Sequence, residues 1–279
     1  MSTTEPLVEG PGMDWRRIGA LFRRDFYVEF SYQFRIVLRY LEVVFYALIM
    51  FFISRLMGQP PELDQYEGGY FEFVMVGLAV TAFGGLGISA FNQRISEEQR
   101  LGTLEVLLTT PTRMSVFLSG SFVLPLLLTT GEVILLLVIA ISTAGVGFPL
   151  GGVLISIPLW LLTIATFCAF GIMAAGVIVV TKRGDPISGP LYQLTLLFSG
   201  ALFPVSVFPE AISWAAYLFP AFYGITGIRE VLLAGGGWSD IAPELLILSA
   251  FTVVLVPVSL WAFSRAIRIA RAAGTLGNY

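Results

Sequence analysis

Six stretches of this chain are apolar for long enough to cross a lipid bilayer: about Val37 to Met57, Phe71 to Phe91, Val116 to Ile141, Val153 to Val180, Ile187 to Phe208 and Leu245 to Phe263. A helical crossing needs about 20 apolar residues. Open strands cannot satisfy their backbone in lipid, so each stretch is expected to be a helix. Of 279 residues, only 13% are charged, against roughly 25% in soluble domains. Six spans leave no room for a large soluble domain beside them. The expected fold is an all-α polytopic membrane protein with one transmembrane domain over residues 1–279. The first thirteen residues lack a basic stretch followed by an apolar core, so no cleavable signal peptide is expected.

Several chemistries are excluded by count. The chain has no histidine and one cysteine, Cys168, which removes Ser-His and Cys-His catalysis, histidine metal sites and an intrachain disulfide. Lys182 is the only lysine and Arg183 follows it, so the phosphate-cradling loop G-x-x-x-x-G-K-S/T is absent. The chain is expected to be non-catalytic, with no cofactor, no metal and no nucleic-acid partner.

Cytoplasmic loops close to membrane spans are enriched in Lys and Arg. Fourteen of the sixteen basic residues fall in the amino-terminal segment, the second-to-third and fourth-to-fifth connections and the tail. Only Arg55 and Arg229 lie near or beyond the opposite face. Both termini are therefore expected in the cytoplasm. Residues 14–35 pattern as an interfacial helix, with Trp15, Ile18, Leu21, Phe22, Phe26 and Phe30 on one half and Arg16, Arg17, Arg23 and Arg24 on the other. Asp25 and Glu29 project from the apolar half and require arginine partners. Residues 211–236 are apolar but interrupted by Pro220, Gly224, Gly227, Arg229 and Glu230. A seventh crossing there would place Arg265, Arg268 and Arg271 outside, so this stretch is expected to be a re-entrant hairpin on the outer side.

The second-to-third connection is the most informative segment. Residues 95–111 have helical spacing, with Leu101, Leu104 and Leu108 in one narrow arc and Glu98 and Glu105 stacked at its edge. Gly102 leaves bare backbone between the carboxylates, and Pro111 ends the helix. Two readings follow from the spacing: a plug for a groove on a soluble partner, with carboxylates meeting arginines, or an amphipathic helix on headgroups. Glu97, Glu98 and Glu105 disfavour the second, because an anionic surface attracts basic faces.

The segment EEQRLGTLEVLLTTP, Glu97 to Pro111, resembles the coupling helix of type-2 ABC transporter permeases, whose pattern is E-x-x-x-G-T-L-E-x-L-L-x-T-P. Glu98, Gly102, Thr103, Leu104, Glu105, Leu107, Leu108, Thr110 and Pro111 match it. TKRGDP at Thr181 to Pro186 and the stretch Leu202 to Gly236 are similar to the family's fourth-to-fifth turn and its fifth-span and outer-hairpin region. The resemblance implies a six-span permease of the plasma membrane that forms a homodimer and pairs with a separate ABC ATP-binding subunit. It implies an ATPase-coupling role for Glu97, Glu98, Leu101, Gly102, Thr103, Leu104, Glu105, Leu108 and Pro111. The cargo expected is an amphipathic drug-like, lipid-linked or glycolipid-like molecule moved outward.

Glu132 lies within the third apolar stretch, where an ionisable group faces protein or water. It either bonds to a neighbouring helix, lines a substrate path, or relays protons. The last role would suit an ion-coupled secondary carrier, a different class of protein; a third class is a membrane anchor with no transport path. Pro125, Pro158 and Pro257 interrupt the third, fourth and sixth spans, and Gly84, Gly85 and Gly87 allow close helix approach in the second.

Overall fold

The computed structural model describes residues 15–58, 61–63, 66, 69–100, 114–144, 147–181, 185 and 187–272. The helices are α1 (Trp15–Ser31), α2 (Gln33–Met57), α3 (Tyr70–Arg100), α4 (Met114–Ala144), α5 (Leu150–Thr181), α6 (Ser188–Phe198), the short α7 (Glu210–Ser213), α8 (Pro220–Leu233) and α9 (Ala242–Ala272). No strand occurs among the described residues. Five helices are long and apolar enough to cross a membrane: α2, α3, α4 over Phe122–Thr143, α5, and α9 over Ala242–Ala270. This is an all-helical, multi-pass membrane protein. A sixth candidate is the pair Glu210–Leu218 and Pro220–Leu233, which meets at 88° and occupies the stretch expected to form the hairpin.

The fifth apolar run departs from expectation. It is helical over Ser188–Phe198, which is 11 residues or about 16 Å of rise, roughly half the hydrocarbon thickness. Beyond it the chain turns at Gly200, where φ is 73°, a conformation that costs glycine nothing. Pro204 then holds an extended backbone with φ −60° and ψ 143°, and its ring also pushes the preceding residue away from helix. Continuous apolarity over Ile187–Phe208 therefore produces half a span and a turn. The other difference is the length of α3, which continues past Phe91 to Arg100. Residues 95–100, expected to open the connecting helix, are its last turns.

Helix α3 is the axis of the bundle, packed against α2, α4, α5, α6 and α8. Its contact with α5 is made by small residues. A Cβ on Gly84 would lie 2.7 Å from Phe167 Cζ, and one on Gly87 2.6 Å from Phe167 Cβ. A Cβ on Gly171 would collide with the Gly87 carbonyl. Without a hydrophobic drive between helices in lipid, such close backbone approach is what holds them together. One core joins Val76 and Val80 of α3 to Leu159 of α5, Ile225 and Ile228 of α8, and Leu248 of α9. A second, at the Arg100 end of α3, joins Phe91 and Ile95 to Ala175, Ile178 and Val179 of α5 and Phe263 of α9, with Cys168 packed beside it. Pro125, Pro158 and Pro257 each lie inside a helix that continues past them.

Candidate functional site: the foot of α3 and a charged cleft

At the foot of α3 the polar side chains are tied into the fold. The Asn92 side chain is fully buried. Its Nδ2 donates to Ile88 O at 2.9 Å, to Asp185 Oδ2 at 3.3 Å and to Ser188 Oγ. Asp185 Oδ1 accepts from the backbone N–H groups of Ile187 at 3.2 Å and Ser188 at 2.9 Å. It thus satisfies donors that the first turn of α6 leaves open. Gln99 Nε2 donates to Ile178 O of α5 at 3.4 Å. The last turns of α3 are thereby fastened to α5 and to the start of α6.

Arg94 bridges two of the expected coupling residues, to Glu97 at 3.3 Å and to Glu98 at 3.0 Å. Glu98 is buried and Glu97 exposed, so the pair does not present one acidic edge. Leu101, Gly102, Thr103, Leu104, Glu105, Leu108 and Pro111 lie outside the described residues.

Beside this foot, a cavity of about 980 Å³ separates α1 and α2 from α3 and α4. Along α3 it runs from Glu97 and Arg94 past Ser89 and Leu86 to Ala82, a stripe at helical spacing about 22 Å long. Across from it α2 contributes Arg35, Leu38, Arg39 and Glu42, and α4 contributes Leu124, Leu128, Thr129 and Glu132. Asp25 and Glu29 of α1 close one end. Those two acids have found the arginines their position demanded: Arg24 pairs with Asp25 at 2.8 Å, and Arg35 with Glu29. The phenyl rings of α1 stack along one face, Phe26 on Phe30 at 4.2 Å.

Within this cleft Glu132 is bonded to a neighbouring helix. Arg39 of α2 donates through Nε to its carboxylate and through Nη2 to Thr129 Oγ1 at 3.0 Å. Sequence reasoning grouped Arg39 with the cytoplasmic basic residues. A single basic residue near a span end and a single acid within another span were the available signal. The next residue, Tyr40, rests its hydroxyl over Gly131 and donates to Leu128 O at 3.4 Å.

Arg229 also escaped sequence reasoning, which placed it near the outer face. It is 3% exposed and donates to Phe73 O at 2.8 and 3.0 Å, Gly200 O at 2.8 Å and Ala201 O at 2.8 Å. Its guanidinium lies 3.3 Å from the centre of the Phe73 ring. A buried arginine needs such partners. It fastens α8 to α3 and to the turn after α6.

Residues 16–233 match the ABC-2 type transporter family. The chain belongs to that family. Over 200 residues it is also 24% identical to ABC transporter G family member 20 of Dictyostelium discoideum, an alignment that covers 70% of this chain and 27% of the relative. The chain thus spans about a quarter of that relative's length. The family match includes α1, the whole of α3, the cleft and α8 with Arg229, and it stops before α9.

Proposed function

We propose that this chain is the permease subunit of an ABC exporter in the plasma membrane. It works as a homodimer with a separate ATP-binding subunit, both termini in the cytoplasm, α1 in the inner interface and the bent pair α7–α8 on the outer side. Its cargo is an amphipathic drug-like, lipid-linked or glycolipid-like molecule. The observation that carries this reading is α3. It passes unbroken from Tyr70 to Arg100, is buried along most of its length, and in the sequence is followed two residues on by the run Gly102, Thr103, Leu104 and Glu105. A push at Glu98 and Glu105 would reach α5 through Gln99 and α6 through Asn92 and Asp185. ATP-driven closure of two ATPases would bias such a linked set between inward and outward states. Glu132 joins α2 to α4 and already has a guanidinium partner, which disfavours a carrier with Glu132 as a lone proton site.

The test is purification in mild detergent from the native membrane, followed by ATP-driven flux in liposomes. An ATP-binding protein should co-purify in equal amount. Glu105→Ala should lower its stimulated ATPase rate about tenfold or more, as expected for truncating a docked charge, with expression and gel-filtration profile unchanged. Unaltered coupling in Glu105→Ala, or a chain that purifies alone, overturns the proposal.

A further inference from the structure

The cleft between α1–α2 and α3–α4 has the size of a ligand site, 300–1,000 Å³ being usual, and its charges are unevenly matched. Five carboxylates line it (Asp25, Glu29, Glu42, Glu97 and Glu132) against three guanidinium groups, Arg35, Arg39 and Arg94. All three are engaged with acids of the same cleft: Arg35 with Glu29, Arg39 with Glu132, and Arg94 with Glu97. Asp25 is paired with Arg24. Among the described residues, no basic side chain lies within ion-pairing distance of Glu42. It sits on α2 one turn beyond Arg39, on the same face of the helix. The α3 and α4 sides of the cleft carry apolar Ala82, Gly85, Leu86, Ala90, Leu124, Pro125 and Leu128 interspersed with polar Ser89, Gln93 and Thr129. A carboxylate without a countercharge, in a cleft that also carries apolar side chains, is complementary to a molecule that carries a positive charge and a hydrocarbon or aromatic body.

We infer that this cleft binds a cationic amphiphile, with Glu42 as its counter-ion, the ion pairs at Arg39 and Arg35 excluding anionic heads, and the Ala82–Ala90 stripe receiving the apolar part. The inference deepens the transporter reading by assigning its cargo a charge class and a place. It rests on that reading only for its physiological meaning, because binding needs no ATPase.

The probe is tritiated tetraphenylphosphonium, bound to the full chain in lipid nanodiscs and measured over empty nanodiscs. Saturable binding should be displaced by dodecyltrimethylammonium and resisted by dodecanoate. Glu42 is exposed to the cleft, so Glu42→Gln should weaken binding about threefold, the weight of one exposed ion pair. Ala90→Phe, which fills the cleft, should weaken it as well. Glu210→Gln, an exposed acid on α7, should leave it unchanged. Wild-type affinity in Glu42→Gln, equal displacement by dodecanoate, or no saturable binding to the wild type overturns the site. Glu42-dependent binding in a chain that supports no ATP-driven flux with any ATP-binding partner would overturn the permease reading and leave the site standing. ATP-driven flux indifferent to Glu42→Gln, with no Glu42-dependent binding, would do the reverse.

Discussion

Helices α2 and α3 are both apolar enough to cross a bilayer, yet 6% of the apolar stretch of α2 is buried and 78% of that of α3. Apolarity therefore does not decide which helix takes the centre. Lipid and protein interior are equally hospitable to Leu and Phe, so position is decided by how closely another backbone can approach. Helix α3 offers Gly77, Gly84 and Gly87 to its neighbours, whereas α2 contains no glycine. What keeps α2 in place is two unlike attachments. Arg39 and Tyr40 reach α4 through polar groups. Further along, Ala47 and Met50 are buried with Phe71 of α3, and Phe51 meets the Phe71 ring edge-on at 5.6 Å. Between α2 and the axis the charged cleft remains open.

The strongest way to break the contrast is to deny α3 its close approach. Gly171→Val places a side chain against the Gly87 carbonyl, where backbone on both sides cannot yield. It should cost about 3 kcal/mol or more and appear as loss of the monodisperse peak in fluorescence-detected gel filtration after mild heating. Arg39→Leu should be intermediate, since it strands the Glu132 carboxylate. With side-chain exposures of 33% and 14% for the pair, the cost should be roughly 2 kcal/mol, read as a lower thermal midpoint. The double variant Arg39→Leu/Glu132→Gln should recover more than half of that loss. If it does not, packing of the arginine stem holds α2 and not the ion pair. Leu56→Ala, at a residue 87% exposed on α2, should change the midpoint by no more than about 0.5 kcal/mol allows. A larger loss would mean that this flank of α2 is covered by protein in the membrane.

Five of the spanning helices were legible because an apolar run is a one-dimensional signal, and so was the role of Gly84 and Gly87. The fifth run misled because apolarity carries no record of backbone conformation: Leu202 and Phe203 are as greasy as any span residue, while Gly200 and Pro204 beside them end the helix. The foot of α3 was half legible. Glu98 stood out as one of two spaced carboxylates and Glu97 as a further acid beside it, but that Arg94 would bind both, and that Glu98 would be buried, depends on the direction each side chain takes around the helix. Asp185 stood out only as part of the TKRGDP turn, and Asn92 and Ser188 gave no signal of their own, since a network of three short polar groups exists only once α3 and α6 are side by side. Arg39, Glu42 and Glu132 form one cleft for the same reason. Sequence indicates depth along each helix, and azimuth comes with packing.

Arg229 has a consequence for the order in which the chain can be built. Its acceptors lie upstream, 156 residues earlier at Phe73 and 28 earlier at Ala201, so a ribosome has made every one of them before the arginine emerges. A bare guanidinium entering the bilayer is expensive, but one delivered to waiting carbonyls is not. The stretch that contains α8 thus cannot find its place as an independent hydrophobic segment. It is received by what was synthesised before it, and a chain from which α3 had been deleted would leave it no address.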